Sequence, residues 1–208
     1  MDPLQIAAVS GGLNRPSSTR LLADRLTEAV RREFADEREV EVAVVELREL
    51  AVDIAHNLVT GFPGPKLRAA LDTVTGADAL VAVTPIFAAS YSGLFKSFFD
   101  VVEPGALTGM PVLIAATGGT RRHSLALEHA MRPLFAHLRT LVAPTAVFAA
   151  PEDWGDGADD ADLPARIARA AGELAMLVRH RPPSARPTGD PADGLVPFEE
   201  YLSDLRRS

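Results

Sequence analysis

The sequence predicts a doubly wound α/β domain in which five parallel strands, in the order 2-1-3-4-5, carry helices on both faces. Three observations lead there. Short apolar runs alternate with amphipathic helical patterns along the chain. Several runs are apolar at nearly every position, as suits strands covered on both faces. Loops rich in Ser, Thr and Gly follow the first, third and fourth runs, and the carboxyl ends of such strands are where ligands gather.

The elements follow in order. Residues 4–9 read as a short buried strand, and Leu21, Leu22, Leu26 and Val30 then recur at helical spacing. Residues 40–45 form the second strand, 65–74 a short helix, and 79–84 a third, almost continuously apolar strand. Residues 91–102 read as a helix, 111–116 as the fourth strand, 125–138 as a helix, 143–148 as the fifth strand and 167–178 as the last helix. This alternation fits the flavodoxin-like order, in which the loops at residues 10–19, 85–93 and 117–124 meet near the switch point.

Bulk composition narrows the class. A chain of 208 residues with 47% hydrophobic content can bury one substantial core, and residues 1–180 read as that unit. Residues 181–194 are rich in Pro, Asp and Gly and read as an extended linker. The apolar Leu195, Val196, Phe198, Tyr201, Leu202 and Leu205 beyond it predict an element that docks on this subunit or a neighbour. The formal charge is −7 with no basic run, so nucleic acid is not an expected partner. With no cysteine, disulfides, thiolate catalysis and cysteine-ligated metal centres are excluded, and any redox chemistry needs a bound cofactor. The N-terminus carries no signal-peptide arrangement and no apolar run is long enough to span a bilayer, which predicts a cytoplasmic, soluble protein without a membrane association.

The loop Ser10-Gly11-Gly12-Leu13-Asn14-Arg15-Pro16-Ser17-Ser18-Thr19 ends where the first helix begins. Unpaired amides and the positive end of the helix dipole favour an anion there. The dipole supplies about 0.3–1 kcal/mol, whereas each hydrogen bond to a charged group is worth about 1.5–3 kcal/mol. The hydroxyls of Ser10, Ser17, Ser18 and Thr19 should therefore dominate, with Arg15 adding charge. No lysine precedes Arg32, so this is not a Walker loop, and the adjacent Gly11 and Gly12 do not make the G-x-G-x-x-G dinucleotide pattern. A terminal monophosphate fits such a loop. An ordinary helix start, capped by Ser17 or Ser18 with Pro16 setting the turn, fits it as well.

The second loop, after the third strand, offers Pro85, Ile86 and Phe87 as rigid apolar surface. Its small residues Ala88, Ala89, Ser90, Ser92 and Gly93 would let backbone amides approach a flat heteroaromatic ring. A strand-to-helix turn capped by Ser90 or Ser92, with Tyr91 and Phe95 in the core, is the other reading. The third loop, Thr117-Gly118-Gly119-Thr120, permits close approach to a ligand and equally serves a tight turn.

Together the three loops resemble the NAD(P)H-dependent FMN reductase family of the two-component monooxygenase type. Its members carry a serine- and glycine-rich phosphate loop, a Thr-Pro-x-Tyr/Phe…Tyr-Ser-Gly-x-x-Lys segment and an Ala-Thr-Gly-Gly segment. Here these are Ser10 to Thr19, Thr84 to Lys96 and Ala116 to Gly119, and the resemblance spans residues 4–150. It implies that Ser10, Ser17, Ser18 and Thr19 contact the FMN phosphate, that Pro85, Ile86 and Phe87 line the isoalloxazine, and that Thr117, Gly118 and Gly119 close its other edge. Ser90, Tyr91 and Ser92 are carried as cofactor-binding with them. Many relatives have an arginine where Asn14 stands, so Arg15 is the phosphate candidate in its place. Some carry an inserted tyrosine in a π-bulge beside the flavin at a tetramer interface. His129 aligns with it, either as a stacking or hydrogen-bonding group or as an ordinary helix residue.

The resemblance further implies hydride transfer from the nicotinamide of NADH or NADPH to N5 of FMN, in a homodimer or homotetramer that supplies reduced flavin to a flavin-dependent monooxygenase. The C-terminal element is similar to that of reductases partnered with luciferase-like monooxygenases. Such chemistry belongs to the cofactors, so no acid–base residue is required and no catalytic side chain is assigned. Arg121 and Arg122 are candidates to select a 2′-phosphate. A quinone or azo reductase with tightly bound FMN, or a flavodoxin-like electron carrier, would share the site. The remaining histidines, His56, His123, His137 and His180, have no metal-ligand spacing. The acidic stretch at 152–162 lacks the terminal glutamate of a calcium loop, so no metal site is predicted.

Overall fold

The computed structural model describes residues 2–154 and 162–181. Its strands are β1 (Leu4–Ser10), β2 (Val40–Glu46), β3 (Ala79–Phe87), β4 (Ser90–Tyr91), β5 (Pro111–Thr117), β6 (Leu141–Val142) and β7 (Val147–Ala149). The main sheet runs β2-β1-β3-β5-β6 in parallel, with β7 also paired to β5 and β4 antiparallel to β3. Because β6 and β7 are two pieces of one edge, this is the predicted order. The helices are α1 (Ser18–Glu33), α2 (Ala51–Thr60), α3 (Pro65–Thr75), α4 (Gly93–Asp100), a π-turn at Leu127–Met131 leading into α5 (Arg132–His137), and α6 (Asp162–His180).

Strand alternation sends neighbouring residues to opposite cores. Ile6, Ala8, Val81, Val83, Leu113 and Ala115 face α1 and α6, whereas Ala7, Val9, Leu80, Ala82, Val112 and Ile114 face α2 to α5. Helix α1 buries Thr19, Leu22, Ala23, Leu26, Thr27 and Val30, one stripe at a spacing of three and four residues. Each fully buried Leu or Val there contributes about 1.5–3 kcal/mol. Arg31 and Arg32 close its last turn, where cations complement the dipole. On the other face Phe95, Phe98, Phe99 and Phe135 form a ring cluster with centroids 4.8–6.3 Å apart.

Four features differ from the sequence expectation. The fifth strand, predicted at 143–148, is broken: Arg132 donates to the Ala143 and Pro144 carbonyls at 3.2 and 3.0 Å, and Glu173 accepts from the Thr145 N–H at 2.5 Å. Side chains thus take ladder groups, and Pro144 has no N–H to offer. Strand β3 runs on to Phe87 and folds back as a hairpin with β4, so residues 85–87 are strand. Ala88 and Ala89 turn that hairpin at φ 47° and 67°, a left-handed region that costs an L-residue roughly 1–2 kcal/mol. Helix α2 was not anticipated, because Val52 and Val59 are exposed beside the buried Ile54 and apolar residues on two faces hide the helical period. The predicted helix at 125–138 begins as the π-turn.

No described helix is long and apolar enough to cross a membrane. Beyond Arg181 the predicted linker at 181–194 and the apolar element after it lie outside the described residues.

Candidate functional site

The sheet's carboxyl edge gathers three segments into a cleft of about 260 Å³. The first leaves β1, where the Gly11 N–H donates to the Val83 carbonyl at 2.8 Å. Ser17, extended at φ −120°, caps α1 by accepting the Arg20 N–H at 3.2 Å. A capping serine accepts with its oxygen and keeps its O–H proton to donate, so capping and anion binding are compatible uses of one hydroxyl. The first-turn N–H groups of Ser18 and Thr19 have no carbonyl a turn earlier, and that turn holds no acidic side chain. Gly12 makes the loop possible, since a Cβ there would stand 2.1 Å from Ser17 Oγ.

Leu13, Asn14, Pro16, Ser17, Ser18 and Thr19 line this side of the cleft. Thr19, 2% exposed, lays its hydroxyl 2.8 Å from that of Thr117, joining the helix start to the end of β5. The loop is braced from outside. Glu46 sits between two guanidiniums, Arg20 at 2.6 Å and Arg48 at 2.5 Å, and Arg48 donates to the Asn14 carbonyl at 2.9 Å. Arg15 does not line the cleft; its guanidinium pairs with Glu49 at 2.8 Å, an exposed contact worth only about 0–1 kcal/mol. Ser10, 1% exposed, closes β1 beneath the loop and does not line the cleft.

The second wall is Pro85, Ile86 and Phe87. Its neighbours are used structurally. Ser90 pairs with Phe87 in the hairpin, and Tyr91 packs 6.2 Å from Phe95. Ser92 caps α4 by accepting the Phe95 N–H at 3.2 Å, while its own N–H donates to Thr84 Oγ1 at 3.1 Å. The third wall is Thr117, Gly118 and Gly119 with Pro151. The Gly118 N–H donates to the Ala149 carbonyl at 3.1 Å, and a Cβ on Gly118 would lie 2.7 Å from Phe148 Cζ. Around Gly119 a Cβ would meet nothing within 4 Å.

Sequence reasoning overlooked Pro151, which carries no hydroxyl or glycine signature; its place just past the fifth strand was the available signal. Of the two 2′-phosphate candidates, Arg121 has its guanidinium 2.8 Å from Asp153 and Arg122 is exposed. His129 lies in the π-turn, exposed, and lines a separate groove of about 800 Å³ with Tyr91 and Lys96. Beside it, hydrogen bonds from Arg132 hold the Glu128 carboxyl below the usual range. That groove, and a depression of about 920 Å³ at the β2 edge, are larger than the cleft, yet neither joins hydroxyls and glycines to the start of a long helix. Among the described residues no three metal-ligating side chains cluster.

Hydroxyl donors and free amides at a helix N-terminus, a flat apolar wall and a glycine wall fit a ligand with a phosphate at one end and a planar ring at the other. Comparison with known proteins agrees. The family model for NADPH-dependent FMN reductase matches residues 4–155. The chain is 38% identical over 176 residues to an FMN reductase (NADPH) of Pseudomonas aeruginosa, covering 84% of this chain and 92% of that protein. It is 40% identical over 170 residues to the NADH-dependent FMN reductase SfnE of Pseudomonas putida, covering 81% and 89%. An oxidoreductase structure from Corynebacterium diphtheriae superposes with TM-score 0.84 at 46% identity, over 88% of this chain and all of that one. The apo form of the NADH:FMN oxidoreductase EmoB superposes with TM-score 0.67 at 25% identity, over 91% and 98%. Matched over residues 4–155, which include all three segments of the cleft, the chain belongs to the NADPH-dependent FMN reductase family.

Proposed function

We propose that this chain is an NAD(P)H-dependent FMN reductase whose flavin occupies the cleft. The observation that carries the reading is the meeting of the Ser17–Ser18 helix start with the Pro85–Phe87 and Thr117–Gly119 walls. FMN, when bound, supplies the chemistry of accepting a hydride from NADH or NADPH. The chain's residues bind and orient: Ser17 and Ser18 donate to the phosphate, Pro85, Ile86 and Phe87 give the ring an apolar bed, and Gly118 and Gly119 keep its far edge clear of side chains. No proton needs to move through a side chain, since rate comes from holding two rings at reaction distance. Steady-state oxidation of NADH and NADPH with FMN, FAD, riboflavin and a quinone offered in turn tests this. Turnover with free FMN is expected. Turnover with quinone alone would mean a bound-flavin quinone reductase, and flavin binding without nicotinamide oxidation would mean an electron carrier.

The reduced flavin passes to a flavin-dependent monooxygenase in this reading, which rests on the motif resemblance to two-component reductases, and the site of action is the cytoplasm. Assembly is a homodimer or homotetramer. Val52, Val59 and Phe62 support it, being 82%, 88% and 78% exposed along and just after α2, an apolar surface of the kind that marks interaction sites. Light scattering of the purified chain at micromolar concentration is expected to give a multiple of the 22.1 kDa chain mass; a monomer would overturn the assembly.

A further inference from the structure

We infer that Asp153, a residue outside the cleft, is a positioning residue that holds the glycine wall of the flavin site in place. Its side chain is only 1% exposed and engages two guanidiniums from different elements, Arg121 at 2.8 Å and Arg166 at 3.2 Å. The same carboxylate accepts the Ala150 N–H at 2.7 Å. Arg121 follows the Thr117–Thr120 loop directly, while Arg166 belongs to α6 and also donates to the Phe148 carbonyl at 2.7 Å. One carboxylate thus fastens both backbone segments of the third wall, the loop after β5 and the turn after β7 that carries Pro151, to a helix on the other side.

A buried carboxylate satisfied by three donors keeps its partners in one arrangement, and removing its charge leaves two guanidiniums competing for fewer acceptors. In the flavin reading Ser17 acts at the phosphate end, whereas Asp153 acts at the ring end, through the wall assigned to the ring edge. The two ends predict different flavin selectivity. If loss of the carboxylate leaves the wall formed in about one molecule in ten, the apparent dissociation constant rises about tenfold, and it does so equally for FMN and for riboflavin, which lacks the phosphate.

This inference rests on the flavin reading, and one titration separates the two. Wild type, Asp153→Asn and Arg121→Gln, all as the full flavin-free chain, are titrated with FMN and with riboflavin by flavin fluorescence, after circular dichroism at the same temperature shows each is folded. Arg121→Gln removes one arm from a half-exposed side chain, so it serves if Asp153→Asn fails to fold. A buried control, Leu174→Ala in α6, loses stability without touching the wall. The expected result is a roughly tenfold weakening for both flavins in Asp153→Asn, a smaller equal weakening in Arg121→Gln, and none in the control. Wild-type affinities in both variants would overturn the role of Asp153 while leaving the flavin site standing. Weakening confined to FMN would overturn it too, by placing the effect at the phosphate. No flavin binding by wild type would overturn the flavin reading and this inference together.

Discussion

Replacing Ser17 with glycine is expected to weaken FMN by about 1.5–3 kcal/mol, roughly ten- to a hundredfold, through loss of one charge-assisted hydrogen bond. Glycine is chosen because it remains an acceptable N-cap. Serine to glycine at that position costs only a few tenths of a kcal/mol, whereas alanine costs typically about 1. The change therefore removes the hydroxyl offered to the phosphate while leaving α1 nearly as stable, and riboflavin should bind both proteins equally. Titration of each protein with the two flavins, alongside a urea melt, reads all three quantities. Equal losses for FMN and riboflavin would remove the phosphate from this loop.

The larger effect on stability is expected at Phe95. It is fully buried, stacks at 4.8 Å on Phe99 and 6.3 Å from Phe135, and its side chain lies 3.4 Å from where a Cβ on Gly11 would stand. Phe95→Ala should cost about 3–5 kcal/mol, because the cavity left among fixed rings cannot collapse fully. For a domain of this size that lowers the melting temperature by roughly 10 °C or more. The same ring packs beside the Gly11 turn, so FMN retention should fall with it. Urea denaturation gives the stability, and a loss under about 1 kcal/mol would show that the ring cluster is not what sets the two loops on the sheet.

Much of this molecule was legible in the order of its residues. The first strand and the helix at 65–75 follow from local apolar pattern, because burial on both faces of a strand and on one stripe of a helix are properties of neighbouring side chains, and the strand order and the meeting of three loops at one sheet edge follow from the doubly wound topology that the alternation implies. Helix α2 was not legible, since its exposed Val52 and Val59 mask the stripe that Ile54 begins. Of the broken fifth strand only Pro144 was legible, because the other groups that interrupt it come from Arg132 and Glu173, 11 and 28 residues away from the backbone atoms they bind.

The candidate site divides the same way. The sequence by itself determined that hydroxyls and paired glycines stand at strand ends beside a helix start, since composition and spacing define a phosphate loop and a small-residue turn. Only the tertiary structure decided how each side chain is used. Thr19 meets Thr117 across 98 residues, Ser92 caps α4 and Tyr91 packs against Phe95, Arg15 turns to Glu49, and Arg121 turns to Asp153. Which partner a polar group finds depends on what distant segments bring within about 3 Å of it, and spacing along the chain carries no record of that.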